Sequence, residues 1–168
     1  MLDIRASDRI LEIGAGSSPS AAYLAAGLRT GTLVVVDRSA TAIARSAKKH
    51  AALLDSGRLH LVHADVPGPG TTALLRAAGG PFDRILACNV NLFWTRDADG
   101  GLAMVRELLA PGGILYLGYG YGGPDDPPES PKPAPDKLFG HLSAAGFDQR
   151  VAHAGDLLCV IATPRGGE

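Results

Sequence analysis

Short apolar runs recur along the chain with helical stretches between them. Arg9-Ile10-Leu11-Glu12-Ile13 is apolar and stops at glycine. Thr32-Leu33-Val34-Val35-Val36 is β-branched and almost wholly apolar. A strand of that kind is buried on both faces, which calls for a parallel sheet covered by helices. Residues 58–62, 82–88 and 113–117 supply three more strands. Between them, a helix is expected from Ser18 as N-cap with Pro19 at the first helical position, running to about Gly27. A second places Ile43, Ala47, Ala51 and Leu54 at helical spacing. Thr71 to Ala78 predicts a third, and Leu102, Val105 and Leu109 mark a fourth that Pro111-Gly112 ends. Strand and helix in alternation imply a doubly wound α/β fold with right-handed crossovers.

The end of the chain departs from this alternation. A helix over residues 136–145 stops at Gly146. Residues 147–151 and 157–162 then read as two strands joined by His153-Ala154-Gly155-Asp156. So short a connection makes a hairpin, so the last strand runs antiparallel to its neighbours.

Composition narrows the function classes. The chain has 168 residues, 46% hydrophobic and 20% charged, with a formal net charge of −1. This fits one globular domain over residues 1–168. A nucleic-acid binder carries a basic footprint; here Arg45, Lys48 and Lys49 merely share a helical face. Cys88 and Cys159 both sit in apolar runs and read as small buried hydrophobes. No CxxC spacing or His/Asp cluster points to a metal, no apolar stretch is long enough to span a bilayer, and no leader segment opens the chain. The expectation is a reduced, cytoplasmic protein without nucleic-acid or membrane partners.

The chemistry concentrates at the first turn, Glu12-Ile13-Gly14-Ala15-Gly16-Ser17-Ser18-Pro19. Glycine lets the backbone turn sharply and a ligand approach closely, and the helix that follows offers unpaired N–H groups. Asp37 ends the second strand, where an acid accepts from ribose hydroxyls. A dinucleotide and an adenosine carrying an amino acid both fit. The dinucleotide pattern wants glycine at the sixth position, where Pro19 stands, so a nicotinamide-dependent oxidoreductase is the less favoured reading.

Five segments occur in order: Arg9-Ile-Leu-Glu-Ile-Gly-Ala-Gly, Val34-Val-Val-Asp37, Leu61-Val-His-Ala-Asp65, Phe82-Asp-Arg-Ile-Leu-Ala-Cys-Asn89 and Leu109-Ala-Pro-Gly-Gly-Ile-Leu. Together with the closing Ala145-Gly-Phe147 and hairpin, the series resembles the class I S-adenosylmethionine-dependent methyltransferases over nearly the whole chain. The resemblance implies a Rossmann-like, mostly parallel seven-stranded sheet of order 3-2-1-4-5-7-6 with strand 7 antiparallel, and S-adenosylmethionine as cofactor. Gly14 and Gly16, with Ala15 between them, would let the methionine part and ribose lie against the turn, while Glu12 orients the turn and the methionine amino group. Asp37, with Arg38 beside it, would hold the ribose. Asp65 and the Val66 backbone would meet the adenine, and Asn89 would face the methionine end through its backbone.

The resemblance also implies methyl transfer to a small-molecule acceptor, with a non-catalytic member that binds cofactor or a partner as the alternative. Candidates on the acceptor side are Asn91, which aims a substrate, and Tyr119, as hydrogen-bond donor or acid/base group. Phe93 and Trp94 are either pocket walls or helix-packing residues. Tyr119-Gly-Tyr121-Gly-Gly leads into a proline-rich stretch, Pro124 to Pro135, readable as an acceptor-side loop or as a glycine-rich linker. His63 reads as structural or exposed. The Asp/Asp/Asn set of metal-dependent relatives is not found, so no metal is expected, and Asn89-Val90-Asn91-Leu92 stands where amino-methylating nucleic-acid enzymes carry Asp-Pro-Pro-Tyr. Only eight residues precede Arg9, a minimal N-terminal cap that leaves room for a homodimer mate or a partner over an open cofactor site.

Overall fold

The computed structural model describes residues 2–16, 18–68, 70–95, 98–120, 125 and 132–166. Seven strands form one sheet: β1 (Arg9–Ile13), β2 (Thr32–Asp37), β3 (Leu59–His63), β4 (Phe82–Cys88), β5 (Leu109–Tyr119), β6 (Phe147–Ala154) and β7 (Leu157–Pro164). Their order is β3-β2-β1-β4-β5-β7-β6. The first five pair in parallel, and β7 runs antiparallel to both β5 and β6. Among the described residues, six α-helices connect them: α1 (Ser20–Ala26), α2 (Ala40–Lys49), α3 (Ala51–Asp55), α4 (Thr71–Ala78), α5 (Ala98–Leu108) and α6 (Pro135–Ala144).

Alternate side chains divide the core between the two faces of the sheet, because strand residues point to opposite sides in turn. Leu11, Ile13, Val34, Val36, Ile85 and Leu115 pack with Leu74, Leu102, Val105, Leu108, Leu138 and Leu142 of α4, α5 and α6. Ile10, Leu33, Val35, Leu86, Tyr116 and Ile161 pack with Ala21, Leu24 and Ala25 of α1, and with Leu2 and Ile4 of the lead-in segment. Arg84 holds that segment down, donating to the Asp3 carbonyl at 3.1 Å and lying 3.6 Å from the Asp8 carboxylate.

Several boundaries differ from the expectation. The first helix starts at Ser20, not Pro19: Pro19 is its N-cap, and the Ser18 hydroxyl accepts from the Ser20 N–H at 3.1 Å. The second breaks into α2 and α3 at His50, whose φ/ψ of −118°/29° leaves the helical region. Ser39 caps α2, accepting from Ala42 N. Strand β5 begins at Leu109, so Pro111-Gly112 lies inside the strand and does not separate helix from strand. Leu109 pairs with Phe82 and Ile114 with Arg84, leaving residues 110–113 opposite Asp83 alone, and proline is tolerated in such a bulge because no N–H is needed there. The hairpin is longer than expected, with Phe147 facing Pro164 and Ala154 facing Leu157.

Candidate functional site

In an open α/β sheet, ligands bind beyond the C-terminal strand ends, where the strand order reverses. Here that point lies between β1 and β4. A cleft of about 660 Å³ occupies it. Gly14 after β1, Asp37 and Arg38 after β2, Asp65, Val66 and Pro67 after β3, and Asn89, Val90, Asn91 and Leu92 after β4 all line it. The topology thus brings together seven of the sequence-predicted residues: Gly14, Asp37, Arg38, Asp65, Val66, Asn89 and Asn91.

The turn itself is tightly made. Gly14 has φ +69°, and its N–H donates to the Val36 carbonyl at 2.8 Å. A Cβ at residue 14 would lie 2.8 Å from Val90 Cγ2. Ala15 and Gly16 complete the turn outside the cleft lining. Asp37 clamps it: Oδ2 accepts from Gly16 N and Oδ1 from Ser39 N, each at 2.8 Å. Asp37 therefore shapes the turn before any ligand arrives. Asp37→Ala is expected to cost about 1–2 kcal/mol for the two lost acceptors, lowering Tm by about 2–8 °C for a domain of this size. A melt indistinguishable from wild type would show that the turn holds its shape without the carboxylate.

Glu12 points from β1 to the α1 side and is 2% exposed. Its Oε2 has no hydrogen-bond partner among the described residues. Burial pushes its carboxyl above the ordinary value of 4.5, and the nearby Ser20 hydroxyl, which makes no well-formed hydrogen bond, offsets this only in part. Cys88 is exposed, contrary to the expected buried thiol, since it stands at the last position of β4; Cys159 is buried. The Cys88 residue is open on one side, but its thiol is pushed up to about 11, by loss of water and then by the Glu12 and Cys159 charges. It is a protonated thiol at neutral pH.

Tyr119 lies outside the cleft lining. It is 3% exposed, its hydroxyl donates to the Val90 carbonyl at 3.4 Å, and burial pushes it well above the usual phenol range. Asn91 is exposed on the cleft, in a single 3-10 turn over Asn91–Trp94. Phe93 is fully buried among core side chains, and Trp94 stands edge-on to Tyr119 at 6.4 Å between centroids, with neither lining the cleft. Both are packing residues. His63 is exposed; its Nε2 lies 3.1 Å from the Arg38 carbonyl. A carbonyl only accepts, so that nitrogen carries the proton. Residues 121–124 and 126–131, which hold Tyr121 and most of the proline-rich stretch, lie outside the described residues.

The sequence reading missed seven cleft residues: Ile13, Val36, Ala64, Pro67, Val90, Leu92 and Thr95. Val90 had one available signal, its place directly after Asn89 at a strand end, but its packing on Gly14 depends on register between β1 and β4. Among the described residues, no three His, Cys, Asp or Glu side chains gather as metal ligands would. No helix among them is long and apolar enough to cross a membrane.

A family model described as a methyltransferase domain matches residues 11–115. Solved structures share the fold. A precorrin-6y C5,15-methyltransferase from Geobacter metallireducens GS-15 is 16% identical, with a TM-score of 0.69 over 98% of this chain and 83% of that one. The glycopeptide N-methyltransferase MtfA, solved with S-adenosyl-L-homocysteine, is 20% identical, with a TM-score of 0.68 over 95% of this chain and 84% of its own. The cyclase SpnF is 17% identical, with a TM-score of 0.69 over 98% and 78%. No curated protein matches the chain in sequence.

Proposed function

Because the chain belongs to the methyltransferase domain family that residues 11–115 match, we propose that it uses S-adenosylmethionine to methylate a small-molecule acceptor. The observation that carries this reading is the unpartnered, buried oxygen of Glu12, which lies two residues before Gly14 on β1 and behind the residues that line the cleft directly. A buried carboxylate without a partner is costly. The α-ammonium of S-adenosylmethionine supplies the missing charge and donor. A dinucleotide would bring an anionic pyrophosphate to the same turn, where Glu12 repels it.

The residues present fit the cofactor. The Gly14 turn is a cradle that a Cβ would fill, Glu12 would hold the amino group, Asp37 the ribose hydroxyls, and Asp65 and Val66 the adenine. When bound, the sulfonium supplies an already activated methyl carbon. The protein's task is then to align the acceptor and exclude water, and positioning of that kind lowers the barrier by several kcal/mol. Asn91 and Leu92 stand on the acceptor side of the cleft, the first to orient a polar group and the second to exclude water. Tyr119, neutral and committed to Val90, supports that wall from beneath. The even charge balance favours a small molecule over nucleic acid, and the two free thiols accord with a cytoplasmic setting.

The second reading is a cofactor-binding member of the fold without methyl transfer, favoured by the presence of a cyclase among the structures that share it. One experiment orders the readings: thermal melts with S-adenosylmethionine, S-adenosylhomocysteine and NADH in parallel. At about 100 times Kd a ligand stabilises by about 2.7 kcal/mol, a Tm rise of about 5–11 °C here. The expected result is such a rise with both adenosyl ligands and none with NADH. No rise with either adenosyl ligand overturns the cofactor, and a saturable rise with NADH revives the oxidoreductase. S-adenosylhomocysteine formation with a small-molecule acceptor panel then separates methyl transfer from binding alone.

A further inference from the structure

Asn89 is the one non-glycine position with positive φ, +55°, among the described residues. The backbone turns there out of β4 so that Val90 reaches Gly14 and Asn91 and Leu92 reach the cleft. The same turn carries the Asn89–Val90 backbone away from β5. Regular pairing of the two strands ends at Cys88 opposite Gly118, with Asn89 N donating to Gly118 O at 2.8 Å. Gly120, two residues on, would be left with an unmatched N–H and C=O.

The Asn89 side chain fills that place. Its Nδ2 donates to the Gly120 carbonyl at 2.9 Å, and its Oδ1 accepts from the Gly120 N–H at 3.0 Å. A carboxamide carries one acceptor and a donor in nearly the arrangement of a peptide group, so the side chain extends the β4–β5 ladder after the backbone has left it. Gly120 cannot retreat from this contact. Its φ is +141°, and a Cβ there would run into the Asp156 carbonyl of the β6–β7 turn. Asn89 is thus tied to a point already fixed from the other side.

We propose that Asn89 is a positioning residue of the cofactor cleft: its paired hydrogen bonds to Gly120 hold the Asn89–Leu92 backbone in the shape that lines the cleft, and so set cofactor affinity without the side chain touching the cofactor. This rests on the cofactor reading above. It differs from a role in which asparagine is present only because it tolerates positive φ. Glycine tolerates that conformation better than asparagine, so under the simpler role Asn89→Gly would be harmless.

The test compares wild type, Asn89→Gly and Asn89→Asp. Asn89→Gly keeps the backbone conformation and removes both hydrogen bonds. Asn89→Asp keeps the acceptor and sets a carboxylate against the Gly120 carbonyl. Calorimetric Kd for S-adenosylhomocysteine is expected to rise by about fivefold to about a hundredfold in Asn89→Gly, the equivalent of two ordinary hydrogen bonds, with Asn89→Asp also weakened. Binding by Asn89→Gly within about twofold of wild type, less than one such bond is worth, overturns the proposal. If wild type itself does not bind S-adenosylhomocysteine, the cofactor reading fails, and hydrogen exchange on the ligand-free proteins decides the present one. The amides of Gly120, Asn91 and Leu92 should then exchange about tenfold or more faster in Asn89→Gly, while Leu11 and Val34 in the β1–β2 ladder stay unchanged, as local opening requires. Equal exchange at all five amides, or a uniform rise at all five from a merely less stable protein, overturns it.

Discussion

Gly14→Val is expected to abolish S-adenosylmethionine binding and to destabilise the ligand-free protein. Two independent costs meet at this position. The backbone sits at φ +69°, a region that costs an L-residue about 1–2 kcal/mol. The first side-chain atom would lie 2.8 Å from Val90 Cγ2, and overpacking of this kind costs about 1–3 kcal/mol. Together these lower Tm by about 4–20 °C at roughly 2–4 °C per kcal/mol. Binding suffers more than stability, because Val90 belongs to the cleft wall. Relieving the contact pushes that wall outward, and the new methyl groups occupy the surface where the ligand would rest. Gly14→Ala combined with Val90→Ala separates the two costs: it removes the contact, keeps the backbone strain, and should recover part of the lost Tm, since neighbouring sites couple. Calorimetric binding by Gly14→Val within a few-fold of wild type would mean that the turn is not the cofactor cradle.

Placement of the central strands was legible because the apolar runs of β1, β2, β4 and β7 are buried on both faces, and burial of that kind leaves a mark in composition alone; β3 and β6, at the sheet edges, are only partly buried. Val34 and Val36 face one helical layer while Val35 faces the other, so no alternation interrupts the run. The hairpin order followed from the short connection before Leu157. What composition does not carry is the outcome of competition between elements. His50 interrupts a continuous helical pattern because its backbone leaves the helical region there, and Leu109 joins β5 because Phe82 offers it a partner across a bulge.

The site shows the same division. Asp37 was expected at the cleft from its place at the end of β2, Asp65 and Asn89 from the family resemblance, and all three line it. Glu12 was named from the sequence, but its orphaned oxygen was not legible there, since that depends on Ser20 of α1 standing close without a well-formed hydrogen bond. The Gly14–Val90 contact and the Asn89–Gly120 pair are products of register between strands far apart in sequence. Tyr119 shows the converse: a tyrosine at a strand end reads as site chemistry, yet its ring faces the α4–α6 layer and its hydroxyl answers the Val90 carbonyl.

Glu12→Gln is expected to move stability and binding in opposite directions. The folded protein holds the Glu12 proton more tightly than the unfolded chain does, because burial raises the carboxyl above 4.5. Stability from the neutral acid is therefore full below about 4.5 and is lost as pH rises through the folded value. Glutamine has no such loss. The variant should melt with the wild type at acidic pH and above it at neutral pH, with the gap opening across that interval. The ligand reverses the preference. An ammonium beside Glu12 favours the ionised carboxylate, and removing one partner of a buried pair costs about 3–5 kcal/mol, or roughly a hundredfold to a few thousandfold in Kd. Below the raised value, binding to wild type should also release a proton, visible as a dependence of the calorimetric heat on the buffer's ionisation enthalpy, and the variant should show none. A lower neutral-pH Tm in Glu12→Gln would mean that the carboxylate already has a partner in the folded chain. Unchanged affinity would place the ammonium elsewhere and remove the main physical argument for S-adenosylmethionine over a dinucleotide at this turn. A site that keeps a costly, unpartnered carboxylate until its ligand arrives trades resting stability for recognition, and only the opposed signs of the two measurements distinguish that trade from an ordinary buried acid.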